Sequence, residues 1–448
     1  MATNLMEAYS KRIRIAESVF SKTHNGETMD SNRKLILAKC LNNVNSFLNE
    51  AFDSSTATQR SDMGLFKKFC LNLTNVALPN LIANDLVIVS PMSSMSGYVT
   101  YINYTAGTTK GETEQGDLFN NPFKLGDVDP TYTSNRVVES FEGDGTTTAF
   151  ALMWDAAIIH ETGADAGKLV DGKVLVNGTA TTAYSAATSS GTTTITFTSA
   201  PAADAEIKIG YLYDNVVIPQ NNLPTLKAEM RSIPLIARAR RIAVYYSQIA
   251  AFQAKTDYGF DLGDQLAEKA IGQLQYEIDT EVVGLLDETA GTADSTLTWS
   301  KTLPIGVSKA EHYEGFAEIV ENARVLIYNA TKRFAPNYMI IASNVLPILT
   351  FMKGWSAAPA GEINGPYFAG TLNGLKVYVS PAITPGRFLV GVNGNDMMSS
   401  VAVYAPYMPI VPTQLLQYAD GGTSQGFSTL YDLKVLNENL IVAGVVTA

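Results

Sequence analysis

Apolar residues recur at helical spacing in three stretches of the chain. The first, residues 30–52, follows a capping residue at Asp30 or Ser31 and carries a stripe of Leu37, Cys40, Leu41, Val44, Phe47 and Leu48. The second, residues 261–286, begins at a cap on Asp261 and carries Leu262, Leu266, Ile271, Leu274, Ile278, Val282 and Leu285. The third, residues 314–330, carries Phe316, Ile319, Val320, Ala323 and Ile327. We predict three amphipathic helices, of which the second is a rod of about 38 Å at about 1.5 Å per residue.

Other stretches alternate apolar and polar residues with the period of a strand. Residues 96–104 (SGYVTYINY) and 233–247 (IPLIARARRIAVYYS) are rich in β-branched and aromatic residues, which favours strands. Between them, residues 138–216 contain short Thr-rich strands separated by Gly, Asn, Asp and Ser. This change of character predicts a small all-β module that is inserted into other material. After the long helix, strands and short helices alternate, and the last forty residues return to a β pattern.

Residues 404–412, YAPYMPIVP, place a proline at every third position of an apolar run. Proline fixes φ and removes an amide donor, so we predict an extended, edge-like segment rather than a helix or a central strand. Poorly covered apolar side chains on such a segment would need a neighbour, either elsewhere in the chain or on another subunit. The candidate contact residues are Tyr404, Pro406, Tyr407 and Pro409.

Composition limits the classes of function. A chain of 448 residues with 46% hydrophobic residues is globular and long enough for two or three domains. A formal net charge of −11 argues against a dedicated nucleic-acid binder, whose domain would be basic. Only two cysteines occur, so no disulfide framework is expected. We also expect neither an export signal nor a membrane span, because no apolar stretch has the required length.

No motif for catalysis, metal binding or a cofactor survives inspection. Gly422–Gly426 (GTSQG) fits a nucleophile elbow, but a strand-like sequence follows it and no histidine comes later. His160-Glu161 begins a zinc-binding motif whose second histidine is replaced by Ala164. Residues 163–168 (GADAGK) are one residue short of a phosphate-binding loop and lie outside the strand–helix context that such a loop needs. We therefore expect no enzyme, no cofactor and no metal site.

An arginine cluster is the strongest polar feature, formed by Arg231, Arg238, Arg240 and Arg241. On a strand, Arg238 and Arg240 lie on the same face, where they could meet carboxylates of a neighbouring subunit or phosphate. The third possibility is that these arginines face solvent at a strand edge and bind no partner. The sequence leaves the three alternatives open.

Several segments, in order, resemble the major capsid proteins of large contractile-tailed bacteriophages, which share the capsid fold of tailed phages and herpesviruses. The segments that carry the resemblance are residues 79–99, 237–286, 337–346 and 403–433. The resemblance implies an α+β fold with an N-terminal arm, an extended loop, a peripheral domain with a long spine helix, and an axial domain. It also implies a structural protein that assembles into hexameric capsomers of an icosahedral head around the DNA genome.

The resemblance assigns a role to each part of the chain. The expected parts are the N-terminal arm (1–60), peripheral strands and extended loop (61–137), inserted β-module (138–216), returning loop and spine helix (217–290), axial domain (291–410) and C-terminal β segment (411–448). The β-module also looks like small modules of phage tail appendages, which leaves a tail or baseplate structural protein as the alternative.

The resemblance also implies partners and processing. The main partner is the chain itself, with vertex, portal, scaffold and decoration proteins as further ones, weak non-specific contact with packaged DNA, and no membrane. Assembly would take place in the cytoplasm of the bacterial host, and the product would be the virion capsid. Relatives are commonly trimmed after Glu in a Leu-x-Glu pattern, which here occurs at Glu7 and Glu50. That short pattern does not decide whether this chain is cut.

Overall fold

The computed structural model describes residues 2–23, 28–53, 70–71, 73, 79, 81–117, 132–153, 157–189, 192–214, 223–331, 334–358, 365–394, 397–413 and 415–447. The chain divides into two compact units. The larger unit contains residues 1–99 and 232–448, and the smaller unit contains residues 100–231. Helices and strands both contribute extensively, so the predicted α+β class is confirmed.

The larger unit contains the helices and most of the long strands. Its helices are α1 (Ala2–Ala8), α2 (Ser10–Thr23), α3 (Ser31–Asp53), α4 (Ala83–Leu86), α5 (Gln248–Gln253), α6 (Leu262–Ala290), α7 (Lys309–Glu314), α8 (Phe316–Thr331) and α9 (Leu346–Leu349). Its strands are β1 (Ile88–Val89), β11 (Arg238–Ser247), β12 (Thr298–Ser300), β13 (Tyr338–Ile341), β14 (Trp355–Ala357), β15 (Tyr367–Leu372), β16 (Leu375–Val379), β17 (Arg387–Gly391), β18 (Ala402–Pro412), β19 (Leu416–Gln417), β20 (Gly422–Val435) and β21 (Ile441–Thr447).

Helix α6 is the predicted spine helix and is 29 residues long, about 43 Å at about 1.5 Å per residue. Its start confirms the predicted cap, because the Asp261 side chain accepts hydrogen bonds from the amides of Gly263 (2.9 Å) and Asp264 (3.4 Å). Its end is held by the Arg387 side chain, which donates to the carbonyl oxygens of Asp287 (3.3 Å) and Gly291. A cation at this position also interacts favourably with the helix dipole.

The buried face of α6 only partly matches the predicted stripe. Leu274, Ile278 and Val282 are buried as predicted, whereas the remaining predicted positions are only partly covered. Ala267 and Ala270 in the first part of the helix and Asp279 near its middle are buried instead. The buried set is Ala267, Ala270, Leu274, Ile278, Asp279, Val282, Val283 and Leu286.

The strands described above for the larger unit form two sheets. In one, the strand order is β1-β18-β20-β11, with β19 paired to the free side of part of β20. The other has seven strands in the order β12-β21-β17-β13-β16-β15-β14. All four residues of β13 are buried, and the Phe316 ring of α8 packs edge-on against Phe388 of β17 at 5.2 Å. Helix α8 therefore packs against the second sheet, and the side chains between them form part of the core.

The C-terminal segment predicted at 411–448 does not form a sheet of its own. Its strand β20 lies between β18 and β11, and its strand β21 lies between β12 and β17. Strand pairing between distant parts of the chain produces this arrangement, and the local alternation of residues does not report it.

The smaller unit contains a β-sandwich. Its strands are β3 (Arg136–Glu142), β4 (Ala149–Ala151), β5 (Lys173–Val176), β6 (Thr179–Ala180), β7 (Tyr184–Ser189), β8 (Thr192–Phe197) and β9 (Glu206–Leu212). One sheet has the order β3-β9-β5-β6 and the other β4-β8-β7. Arg136 is paired with Leu212, so the first and last strands of the module lie side by side. Adjacent ends are what an inserted domain requires.

A two-stranded ribbon connects the two units, formed by β2 (Ser96–Ala106) and β10 (Leu226–Ile236). Within the smaller unit, the Gly107 amide donates to the Thr225 carbonyl (2.7 Å), and the Tyr132 hydroxyl donates to the Thr108 carbonyl (2.8 Å). These bonds hold the chain together just beyond the end of the ribbon that lies in the smaller unit. Among the described residues, no helix combines the length and apolar character that a membrane crossing demands.

Candidate assembly surfaces

The proline-spaced run forms strand β18, and the prediction that it is edge-like is wrong. The strand pairs with β20 from Ala402 to Pro412 and with β1 at Val403 and Tyr404, and all of its residues except Tyr407 are buried. The ladder with β20 shifts register between Pro406 and Met408 and again between Met408 and Val411. Bulges of this kind let prolines sit in a sheet without leaving ladder donors unmatched. The carbonyl oxygens still accept, as Pro406 does from the Met92 amide at 3.0 Å.

The neighbour that covers this run is the chain itself. The Asn43 side chain of α3 donates to the carbonyl oxygens of Met92 (2.7 Å) and Tyr407 (2.9 Å). The Tyr404 ring lies 5.4 Å from that of Tyr431, and burial raises the pKa of Tyr404 well above its usual value. Of the four candidate contact residues, only Tyr407 keeps side-chain surface that another subunit could reach.

The predicted amphipathic helix α3 also buries its stripe within its own chain. Leu37, Cys40, Leu41, Val44 and Leu48 are buried in the main core. Phe47, which the sequence placed on the same stripe, is 41% exposed. The Arg33 side chain makes an ion pair with Asp85 of α4 and lies over the Phe20 ring of α2. These contacts connect α3 to both of those helices. Among the described residues of this segment, Phe47 is thus a side chain left for an external contact.

The two proposed processing positions both lie in helices. Glu7 is exposed in α1, and Glu50 belongs to α3, although its side chain is outside the described part of the structure. Processing at either position stays a prediction.

The arginine cluster is divided by the pleat of β11. Arg238 and Arg240 are on one side, as predicted, and Arg241 is on the other. Arg238 and Arg241 are exposed, and Arg231, in the smaller unit, is exposed with Glu229 at 3.5 Å. Pairing of these three arginines with another subunit stays a prediction.

Arg240 has partners inside the chain. Its guanidinium makes an ion pair with Glu281 of α6 and lies 4.5 Å from the centre of the Tyr431 ring, whose hydroxyl also bonds to Glu281. Burial is the largest single influence on the pKa of Arg240 and lowers it, but the hydrogen bonds and charges of Glu281 and Tyr431 together outweigh burial, so the pKa is raised. The contacts among Arg240, Glu281 and Tyr431 hold helix α6 against the sheet that contains β11 and β20. Sequence reasoning missed Glu281 and Tyr431 because both are distant in the chain. The pairing of β11 with β20 brings Tyr431 near Arg240, and the packing of α6 on these strands brings Glu281.

A second carboxylate of the spine helix points into the core. Asp279 is buried and accepts a hydrogen bond from the Ala83 amide of α4 at 3.0 Å. Burial raises the pKa of Asp279 to about 7, although the backbone hydrogen bonds oppose this shift. No sequence signal separates this aspartate from the exposed acids of the same helix.

The ribbon of β2 and β10 presents large apolar side chains to solvent. Within the smaller unit, Met230 is 75% exposed, and Ile102, Tyr104 and Leu226 are exposed as well. A contiguous strand pair with this composition is typical of a surface that another chain covers. The two strands lie within residues 61–137 and 217–290, for which the sequence predicts the two sides of an extended loop, and that assignment stays a prediction.

The rejected catalytic motifs remain without a geometric basis. Gly422–Gly426 lies entirely within strand β20, so no sharp strand-to-helix turn exists there. His312 stacks on Trp299 at 4.7 Å and bonds to the Ser300 carbonyl through Nε2 (2.9 Å), which is a structural role. Among the residues that the structure describes, no cluster of His, Cys, Asp and Glu could hold a metal ion.

Comparison with known proteins gives a consistent set of matches. The sequence profile of the family described as "Major capsid protein Gp23" matches residues 63–444. The major capsid proteins of Enterobacteria phage T4 and Escherichia phage AR1 are each 23% identical to this chain over 406 residues, which is 82% of this chain and 74% of each relative. The matched residues include the smaller unit and sequence on both sides of it.

Similar solved structures include "The capsid of Myoviridae Phage XM1", with a TM-score of 0.33 and 9% identity over 68% of this chain and 88% of that chain. A chain of Mycobacterium phage Cain has a TM-score of 0.34 and 13% identity over 71% of this chain and 89% of that one. These similarities are partial, and the match in sequence is the stronger relation.

Proposed function

The chain belongs to the family of the Gp23 major capsid protein, and on that premise we propose that its copies form hexameric capsomers of an icosahedral phage head that encloses the DNA genome. The observation that carries the proposal is the family match over residues 63–444. Proteins of this family are structural and not enzymes. Because the match includes the β-module together with both of its flanks, the alternative of a tail or baseplate protein has no support of its own.

The exposed surfaces of the chain support repeated contacts between copies. The ribbon offers Met230 and Leu226, and α3 offers Phe47, all of them apolar and exposed. A shell repeats one heterologous contact around local symmetry axes, so a modest contact energy at each interface produces a stable container. We assign the ribbon to the extended loop that reaches a neighbouring subunit.

The predicted parts take their places in the capsomer accordingly. We propose that residues 291–410 lie at the centre of the hexamer, that the spine helix is peripheral, and that residues 1–60 and 138–216 contact neighbours. Strand β18, most of which lies in the range proposed as axial, belongs to one sheet with β11 of the range proposed as peripheral, so the two ranges share a hydrogen-bonded sheet.

The charge of the chain fits a DNA container. With a formal net charge of −11, most of the wall would repel phosphate, so packaged DNA would meet only weak, non-specific contacts. We expect vertex, portal, scaffold and decoration proteins as further partners, and assembly in the cytoplasm of the host bacterium.

Electron microscopy of the purified, concentrated protein tests the proposal. We expect rings of six, shell fragments, tubes or closed shells. A protein that stays monomeric at every concentration and salt condition would contradict it.

A further inference from the structure

The chain that leaves strand β2 folds back on itself before it enters the sandwich. The Gly116 amide donates to the Ala106 carbonyl (2.8 Å), which brings the two ends of this turn together. Within it, Lys110 and Thr113 exchange two backbone hydrogen bonds of 2.8 and 3.1 Å. We call residues 107–117 the ribbon-end loop. Its internal hydrogen bonds give it a defined shape, which an extended linker would not have.

Lys110 of the ribbon-end loop is buried, with only 3% of its surface exposed. Its ammonium group donates to the carbonyl oxygens of Tyr132 (2.8 Å) and Ser134 (2.6 Å), which lie just before β3. The same group lies 4.9 Å from the centre of the Tyr213 ring, just after β9. A buried ammonium group is stable only where acceptors surround it. Lys110 therefore holds together the ends at which the chain enters and leaves the sandwich.

The ribbon-end loop also lies directly against the sandwich strands. Gly111 has a φ of +61°, and a Cβ atom there would come within 2.5 Å of the Val138 carbonyl oxygen of β3. Only glycine combines this backbone conformation with so close an approach. The next residue, Glu112, accepts a hydrogen bond from the Ser140 hydroxyl of β3 (2.7 Å) and lies 4.0 Å from the Lys208 ammonium group of β9. The loop is therefore packed on both β3 and β9.

The start of the same loop is bonded to the returning side of the ribbon. The Thr108 hydroxyl donates to the Leu223 carbonyl (3.0 Å), and the Gly107 amide donates to the Thr225 carbonyl (2.7 Å), directly before β10. The Tyr132 hydroxyl is shared between the carbonyl oxygens of Thr108 (2.8 Å) and Thr225 (3.2 Å). Tyr132 precedes the first strand of the sandwich. One set of hydrogen bonds therefore connects both sides of the ribbon to the entrance of the sandwich.

We infer that the ribbon-end loop, through Lys110 and Gly111, fixes the orientation of the sandwich on the part of the ribbon within the smaller unit, so that the two move as one rigid body. A domain that is joined only through two linkers reorients freely. Here the loop contacts the sandwich and the ribbon at once. A movement of the ribbon therefore turns the sandwich with it. This property belongs to the single chain and does not depend on the proposed function.

The distance between two spin labels tests the inference in the full chain. Cysteines replace Ala228 of β10 and Thr196 of β8, which are both exposed. The native Cys40 and Cys70 are buried, and burial raises the pKa of each thiol to about 12, so neither thiol competes for the label. Electron–electron dipolar spectroscopy of dilute, unassembled protein then measures the distribution of distances. We expect one narrow distribution, and a broad one would overturn the inference.

Two substitutions in the loop, each with a matched control, show whether the loop is the cause. Lys110→Met removes the ammonium group, and Gly111→Ala places a methyl group against the Val138 carbonyl; the narrow distribution should be lost in both variants. Lys208→Met changes an exposed lysine beside the same loop. Gly116→Ala adds a methyl group at a φ of +102° where no atom lies within 4 Å. Both controls should keep the narrow distribution.

The outcomes separate the inference from a general loss of structure. An unchanged distribution in Lys110→Met and Gly111→Ala would overturn the inference, and so would an equal broadening in the two controls. If Lys110→Met unfolds the sandwich, as rapid hydrogen exchange of the β8 amides would show, Gly111→Ala decides alone. Failure of the wild-type protein to form particles would contradict the proposed function and leave these distances unaffected.

Discussion

Asp279 makes the stability of the folded chain depend on pH. Its pKa in the folded state, about 7, exceeds the value of about 3.9 for an unfolded aspartate. The folded protein therefore holds a proton that the unfolded chain has lost between these values. The contribution of this group is fully present below about pH 4, falls as the pH rises to about 7, and is constant above that.

Asp279→Asn should remove this pH dependence, because an amide keeps an acceptor for the Ala83 amide and does not ionise. Relative to the wild type, the variant should gain stability at about pH 8, by on the order of 4 kcal/mol at most. Urea unfolding at several pH values measures the effect, and Glu268→Gln, an exposed acid on the same helix, is the control. Parallel pH profiles for wild type and Asp279→Asn would contradict this account.

Arg240 and Arg238 form a matched pair for testing whether the contacts of Arg240 with Glu281 and Tyr431 stabilise the fold. Both lie on the same side of β11, but Arg240 contacts Glu281 and Tyr431, whereas Arg238 is exposed. Arg240→Ala should lower the unfolding free energy by about 1–2 kcal/mol, since a partly exposed ion pair and a cation–π contact are lost together. Arg238→Ala should change it by less than about 0.5 kcal/mol. Equal changes in unfolding free energy for the two variants in denaturant titrations would show that the contacts of Arg240 do not stabilise the fold.

Strand β11 is the element where charge can be varied without disturbing the core. Arg238→Glu with Arg241→Glu should leave the unfolding midpoint near that of the wild type and impair particle formation, because both side chains are exposed. Light scattering at low and high salt measures assembly, and the defect should change with salt. Normal assembly with poorer DNA retention would favour the nucleic-acid reading of these arginines.

The β-module can be removed as an element. Because Arg136 and Leu212 are paired, a short Gly/Ser linker in place of residues 139–215 can span the gap. The remaining chain should still unfold cooperatively but should assemble into less stable particles, as judged by calorimetry and dissociation in denaturant. Loss of all cooperative unfolding would show that the module is part of the main core.

Elements with a long, regular period were predictable, and elements defined by distant pairing were not. The spine helix and its Asp261 cap follow from local sequence, because a helix satisfies its hydrogen bonds within one segment. The extended conformation of β18 was predicted, but its buried position in the sheet was not, because prolines lack the amide donors that a ladder uses. The register shifts opposite β20 show how the sheet accommodates them. The exposure of Ile249 and Phe252 was equally hidden, since regularly spaced apolar residues usually indicate a buried face.

At the scale of the whole molecule, the chain combines a well-packed interior with exposed apolar side chains on the ribbon and on α3. Membership of the capsid protein family explains why such surface is retained. On the proposed function, this surface is covered when copies of the chain meet. Assembly and folding should therefore respond to different substitutions, with interior contacts such as Arg240–Glu281 governing folding and exposed groups governing the shell.

The most direct test is a structure of the assembled particle. We predict sixfold capsomers in which adjacent chains bury well over about 1,000 Å² per contact, with residues 1–60 and 100–230 prominent in the contacts. A particle in which those residues pack only within their own chain, or a protein that builds no particle, would contradict the account.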